Sequence, residues 1–320
     1  MRTLRFLALG LAMAVGAASA QTYPDKTRPI KLVVPSGAGT SADLLARALA
    51  RGMADVAGLN VVVDNKAGAD GVIGAQAVKN APPDGYTLLL TSSSTQAINP
   101  HLFNHLPYDP VTDFVPVAGI AKTSLVMNAG PTVTAKTARE FIASARVNPG
   151  KYTFGNGTAT TRLAGELLQT LTGIKLLSVP YKNLADAMQG LAAGQLDLVF
   201  IDAASASSYY KLGVRPLAVT GTTRTPALPN VPTLREEGVA GYDITGWFAT
   251  YLPAKTPPEV AASLRDIVQK AAAGKYVSEV LANFSMEPLE FAGNDLMTFQ
   301  RAEAVKWGKL VREAKMGPQQ

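Results

Sequence analysis

KLVVPSGAGTSADLLARAL, Lys31 to Leu49, carries an apolar run into a helical pattern through a stretch of only Pro, Ser, Gly, Ala and Thr. YTFGNGTATTRLAGELLQTL, Tyr152 to Leu171, repeats the arrangement about 120 residues later. Each reads as a buried strand whose small-residue loop opens a helix. A helix N-terminus leaves backbone N–H groups free and carries partial positive charge. Small residues let a ligand approach that backbone. Two such ends predict two lobes closing on one small anion.

Strands and helices alternate outward from these two phrases. Strands are expected at Ile30–Pro35, Val61–Asn65 and Tyr86–Thr91, with a helix from about Ala42 to Val56 capped by Ser41 and ended by Gly58. Their continuous apolar character predicts parallel strands covered on both faces. A second series starts near Thr123, with strands at Leu125–Asn128, Tyr152–Phe154, Lys175–Val179, Asp197–Ile201 and Pro216–Thr220. After Arg224 the Pro-rich stretch Thr225–Thr233 leads to one strand, Ile244–Tyr251, and three helices. Too short in strands for a domain, this tail is expected to return to the first lobe. The division expected is 1–20 as a leader peptide, 21–122 plus 225–320 as one lobe and 123–224 as the other, with crossings near Lys122 and Arg224. The fold class is α/β: two lobes, each a mixed, mostly parallel sheet flanked by helices.

Arg2 and Arg5, the apolar run Phe6–Val15 and Ala18-Ser19-Ala20 form a signal-peptide pattern, so export and a mature start at Gln21 are expected. Without the two arginines the formal charge falls from +6 to +4. Basic residues are scattered without aromatic interleaving, which argues against nucleic acid; a slight positive field suits an anionic solute. The absence of Cys excludes disulfides, thiolate metal sites and a Cys nucleophile.

Catalytic and cofactor motifs are weak. Gly68–Gly74 (GADGVIG) follows a strand, but its GxxGxxG spacing is wrong for a dinucleotide and reads as a tight turn. Ser36–Ser41 lacks the lysine of a P-loop. His101 and His105, the only histidines, lack the glutamate of HExxH. No nucleophile–base pair is evident, so no catalytic residue, metal or cofactor is expected. Arg162 stands early in a helix, where the dipole disfavours a cation; it reads as a ligand-carboxylate contact, a solvated side chain or a partner of Glu166. Asp202, at a strand's C-terminal end, either receives a ligand donor or caps the next helix.

The chain resembles the solute receptors of tripartite tricarboxylate transporters, the Bug proteins. The resemblance runs from Tyr23 to Ala314 through YPDKTRPIKLVVP, VVVDNKAGADGVIGAQAV, PPDGYTLLLTSSSTQAINPHLF, LPYDPVTDFVPVAGI, GNGTATTRLAGELLQTLTGIKLLSVPYK, GQLDLVF, RPLAVTGTTRTPALPNVPTLREEG, GWFATYLPAKTP and KWGKL. It implies two α/β lobes joined by crossing segments, as in a periplasmic binding protein, with a small carboxylate or related solute in the cleft. Its binding loops map onto Ser36, Gly37, Ala38, Gly39 and Thr40; onto Ser92, Ser93 and Ser94; onto Asn156, Gly157, Thr158, Ala159 and Thr160 with Arg162; and onto Asp202. The first loop lacks the usual aromatic and prolines, Arg162 stands where His is frequent, and Asp-Ala replaces Asp-Asn, leaving the solute open. Expected partners are that solute and the permease subunits, with the receptor a periplasmic monomer. A sensor feeding a two-component kinase and an exported enzyme on an organic acid are the competing readings.

Overall fold

A computed structural model describes residues 23–314 and 316–317. The leader peptide and the mature start at Gln21 lie outside the described residues.

The chain begins with β1 (Ile30–Val34), α1 (Ser41–Ala57), β2 (Val61–Asn65), α2 (Val72–Lys79) and β3 (Thr87–Ser92). β1 lies between β2 and β3 and runs parallel to both, Leu32 opposing Val63 on one side and Leu88 on the other. Ile30, Leu32 and Val34 are fully buried and Val33 nearly so; from Leu32 to Val34 both faces of the strand are covered, which explains the apolar run, while Lys31 near its start is exposed. α1 buries Leu45, Leu49 and Met53 completely, a stripe at four-residue spacing. Its cap is Thr40, one residue before the expected Ser41, because the Thr40 hydroxyl accepts the Asp43 N–H. Gly58 ends it in the left-handed region at φ 67°, donating to the Ala54 carbonyl.

A short helical segment, Ser94–Ile98, and α3 (Asn99–Leu102) lead into β4 (Phe114–Ser124), an eleven-residue strand that the sequence pattern does not announce. Pro116 and Gly119 interrupt its alternation, and its pairing register slips next to both.

The second sheet follows from β5 (Val126–Ala129), α4 (Ala138–Val147), β6 (Thr153–Asn156), α5 (Ala159–Thr172), β7 (Leu177–Pro180), α6 (Leu184–Ala192), β8 (Leu198–Ile201), α7 (Ala203–Tyr210) and β9 (Arg215–Val219). Its order is β7-β6-β8-β5-β9; β6 pairs parallel with β7 and β8, and β5 runs antiparallel to β8 and β9. The chain ends with β10 (Thr245–Pro253), α8 (Pro258–Ala272), α9 (Lys275–Phe284), β11 (Glu287–Pro288) and α10 (Gly293–Glu313). β10 inserts antiparallel between β3 and β4, completing a first sheet of order β11-β4-β10-β3-β1-β2. Both sheets are thus mixed α/β sheets flanked by helices.

Two chain passages join the sheets, and one residue ties them. Leu125 separates β4 from β5; Ile244 precedes β10. The Thr220 N–H donates to the Leu125 carbonyl at 2.9 Å, and the Ile244 N–H donates to the Thr220 carbonyl at 3.0 Å. The Thr220 hydroxyl accepts the Leu125 N–H at 2.8 Å and donates to the Ile244 carbonyl at 2.7 Å. Thr220 is fully buried.

Residues 225–243, expected with the first lobe, dock on the second sheet at three points, while Asp243 pairs with Lys306 of α10 at 3.3 Å. Thr233 bridges Val219 in parallel, the Leu234 N–H donates to the Val219 carbonyl, and the Tyr242 hydroxyl donates to the Ala164 carbonyl of α5. α10 then spans the junction. Glu303 accepts both indole N–H groups, from Trp247 of β10 at 3.1 Å and from Trp307 at 2.9 Å. One apolar cluster runs from Phe154 and Leu163 to Trp247 and Trp307.

Replacing Thr220 by Val keeps the shape but leaves the Leu125 N–H and Ile244 carbonyl without their hydroxyl partner. Urea unfolding is expected to show a loss of about 1–3 kcal/mol, with Thr220→Ser retaining most of the wild-type value. Equal stability of Thr220→Val and wild type would disprove the tie.

Candidate ligand-binding site

The loops after β1, β3, β6 and β8 leave the C-terminal ends of their strands, the edge at which open α/β sheets bind ligands. The first loop is held from within. The Ser36 and Thr40 hydroxyls lie 3.0 Å apart, and Thr40 donates to the Gly37 carbonyl at 2.8 Å. Beneath it sits Asp43, 2% exposed, accepting the Gly39 N–H at 2.9 Å, Asn65 Nδ2 at 3.1 Å and Arg47 Nε at 3.0 Å. Burial works against the Asp43 charge, but Arg47, the Gly39 N–H and Asn65 outweigh it and hold the carboxyl below the ordinary range. Ala38 and Gly39 are exposed. A Cβ built on Gly37 or Gly39 would meet nothing within 4 Å, so open space lies beside this loop.

Ser92 is half-buried, Ser93 and Ser94 are buried, and Ser94 opens the helical segment after β3. The Ser94 hydroxyl lies 2.9 Å from that of Thr160, in the first turn of α5. This hydrogen bond brings the loop of the first sheet against the loop of the second.

The third loop is a capping box. The Thr158 hydroxyl accepts the Thr161 N–H, and the Thr161 hydroxyl accepts the N–H groups of Gly157 and Thr158 at 3.2 Å each. Asn156 Nδ2 donates to Ser178 Oγ at 2.9 Å, so its side chain is directed to the neighbouring strand β7. A Cβ on Gly157 would come within 2.9 Å of the Asn183 backbone. This loop therefore packs closely where the first is open. Arg162 lies within electrostatic reach of Glu166, one turn along the helix, and of Asp70, in the Gly-rich turn before α2.

Asp202 caps α7. Its two oxygens accept the Ser205 N–H at 2.9 Å and the Ser205 hydroxyl at 2.8 Å. Asp202 is 6% exposed, and burial raises its pKa against the pull of Ser205 and nearby backbone N–H groups. Of the two readings of Asp202, these contacts supply the capping one.

Sequence reasoning passed over Asp70. Burial raises its pKa, against the pull of Arg162 and of the N–H of Ala159, the first residue of α5. The only available signal was an acid inside a Gly-rich strand–helix turn. His101 serves packing: its Nε2 lies 2.8 Å from the Ala304 carbonyl of α10. A separate cavity of about 110 Å³ opens beside the crossings, lined by Lys122, Thr123, Ser124, Thr222, Arg224 and Thr245. Its cations are answered by Glu287 and Glu236, and none of the expected site residues lines it.

The raised pKa of Asp202 fixes the sign of a pH effect. Between the ordinary Asp value and the higher folded one, the folded chain binds the proton more tightly than the unfolded chain. Asp202 therefore stabilises the fold least above its folded pKa, and stability returns as the pH falls through it. The stability of wild type minus that of Asp202→Asn is expected to decrease as pH rises through that window, measured by urea unfolding at a series of pH values. Asn also caps helices well, so the variant folds. A pH-independent difference would place the carboxylate in solvent.

Comparison with known proteins agrees with this architecture. Residues 45–316 match the family described as "Tripartite tricarboxylate transporter family receptor". The solved structure "R. palustris Rpa4515 with adipate" is 32% identical, with a TM-score of 0.87 over 93% of this chain and all of the other. The periplasmic binding protein BugD is 30% identical, with a TM-score of 0.85 over 91% of this chain and 99% of its own. "MatC (Rpa3494) from Rhodopseudomonas palustris with bound malate" is 26% identical, with a TM-score of 0.81 over 89% and 99%. This is a family of solute-binding receptors, not of enzymes. The match spans most of the two-sheet fold and all four loops except the first, and the chain belongs to the tripartite tricarboxylate transporter receptor family.

Proposed function

We propose that this chain captures a small carboxylate between its two sheets and delivers it to the permease of a tripartite tricarboxylate transporter, acting as a monomer in the periplasm after cleavage before Gln21. The observation that carries the reading is the hydroxyl pair Ser94–Thr160, which brings the loops of the two sheets within hydrogen-bonding distance at the edge where α/β sheets take ligands. Adipate in one relative and malate in another support the ligand class. No helix among the described residues is long and apolar enough to cross a membrane.

The lobes in this reading are 23–124 with 245–317, and 126–243. The support for moving the second boundary from Arg224 to Ile244 is the docking of Thr233, Leu234 and Tyr242 on the second sheet. The ligand's carboxylate is received beside the first loop, by the backbone of Ser36 to Thr40 and the hydroxyls of Ser92 and Ser93. Gly37 and Gly39 leave the room there.

Thermal unfolding with a panel of small carboxylates, adipate and malate among them, tests the ligand class. A cognate acid at roughly 100 times its Kd adds about 2.7 kcal/mol of stability. Solution scattering is expected to show the radius of gyration falling as it binds. No shift with any acid would sink the reading.

Gly37 lies outside the left-handed region, so a side chain there fits the backbone. Gly37→Leu is expected to fill the open space and weaken the cognate acid more than about tenfold, a cost near 1.4 kcal/mol, with unfolding in the absence of ligand unchanged. Wild-type affinity in this variant would remove the first loop from the site.

A further inference from the structure

Among the described residues the outer strands of the two sheets are β2 and β11 in the first, β7 and β9 in the second. An outer strand leaves a row of backbone N–H and C=O groups free to pair with another chain, and proline or shortness blunts it. β7 ends in Pro180, β9 holds Pro216 and is bridged by Thr233, and β11 is two residues long, one of them Pro288. β2, VVVDN, has no proline, and among the described residues it pairs with β1 alone. The Ile30 N–H donates to the Asn60 carbonyl at 2.8 Å, and the Lys66 N–H donates to the Val34 carbonyl at 2.8 Å. A ladder has a period of two, so the even-numbered residues between these ends turn to β1. Val61, Val63 and Asn65 turn their backbone groups outward.

This edge opens on a groove of about 490 Å³ between β2 and α1, which none of the expected site residues lines. Arg47, Ala50, Arg51 and Ala54 form its helical wall, one stripe at i, i+3, i+4 and i+7. Val61 and Val63 are half-buried, packed on the core beneath α1, and Val62, on the opposite face, is 50% exposed. The two alanines leave room for a strand beside β2. The charge offered there is positive. Arg47 pairs with Asp43 at 2.9 Å, yet its side chain stays 51% exposed. Arg51 is exposed and has no ion-pair or hydrogen-bond partner among the described residues, Asp55 one turn along the helix included. Asp64 is taken by Lys66 at 3.5 Å and Lys31 at 4.0 Å. A second copy of this chain pairing through the same edge would add its own Arg47 and Arg51 to the groove, and like charges oppose that.

We infer that β2 is a docking edge for an extended, acidic segment of a partner protein. The segment adds as a further strand, pairs with the outward groups of Val61 and Val63 and sets its acids beside Arg47 and Arg51. Main-chain hydrogen bonds hold it, and the two arginines select its charge.

The probe is a short peptide of alternating Thr and Glu, blocked at both ends, and its control carries Lys in place of Glu. Binding is followed by amide hydrogen exchange of the folded protein. The Glu peptide is expected to slow exchange at Val61 and Val63 about tenfold or more, and the Lys peptide to leave it unchanged. Arg51→Glu is expected to weaken the Glu peptide about tenfold or more, the scale of a charged hydrogen bond. Val63→Pro removes one outward N–H and spares the ladder to β1; it is expected to weaken the peptide about three- to tenfold. The response of both variants to the carboxylate panel is expected to match that of wild type, which separates this edge from the cleft. No protection of Val61 and Val63 by the Glu peptide, equal protection by both peptides, or undiminished binding to Arg51→Glu overturns the inference and leaves the carboxylate reading standing. A wild-type dimer in sedimentation that Val63→Pro dissolves also overturns it and gives the edge to a second copy.

Discussion

Four hydrogen bonds on Thr220 hold the two sheets in one relation. The chain passes between the sheets at Leu125 and again at Ile244, and each passage must satisfy its backbone groups away from water. Thr220 supplies a partner to both through its backbone and again through its hydroxyl. A β-branched residue with a hydroxyl suits the task, because its rotamer is restricted and its oxygen both donates and accepts. Every contact between loops of the two sheets, Ser94 with Thr160 included, depends on how these two passages are set. α10 adds a second junction, where one carboxylate, Glu303, receives both tryptophans of the chain.

Three helix ends around the cleft follow a common rule. At α1, Asp43 accepts the Gly39 N–H, and at α7, Asp202 accepts the Ser205 N–H; at α5, the Asp70 carboxyl lies within electrostatic reach of the Ala159 N–H. Each end carries positive potential and each meets a protein carboxylate. The charges are stabilised to different degrees. Arg47 and Asn65 support the Asp43 anion, whereas burial dominates at Asp70 and Asp202 and raises their pKa values. Receptor loops that look like ready anion sites are therefore partly answered by their own chain, and the open approach is left beside Gly37 and Gly39.

Local rules made much of the fold legible. The apolar run Leu32–Val34 of β1, the buried stripe of α1, Gly58 at the helix end and the paired Gly-rich loops follow from burial periodicity and backbone sterics. β4 escaped because Pro116 and Gly119 break its alternation, and a strand paired on both sides with bulges carries no simple period. The cap of α1 fell one residue early, at Thr40, since Thr and Ser cap by the same chemistry and only geometry chooses between neighbours.

The sequence by itself determined most of the segments that become strands and helices, β4 excepted, where the small-residue loops open, and which family the chain resembles, because each depends on contiguous residues. The tertiary structure decided what those loops face. Asp70 stands 89 positions before Ala159 in a turn that reads as simple punctuation, and only the meeting of the sheets brings its carboxyl within electrostatic reach of α5. Residues 225–243 look like a linker and dock on the second sheet through Val219 and Ala164. Asp202 differs, since its partner Ser205 is near in sequence and the cap they form follows from contiguous residues. For Asp70 and the docked segment the partners are remote, and contacts between remote groups leave no periodic trace along the chain.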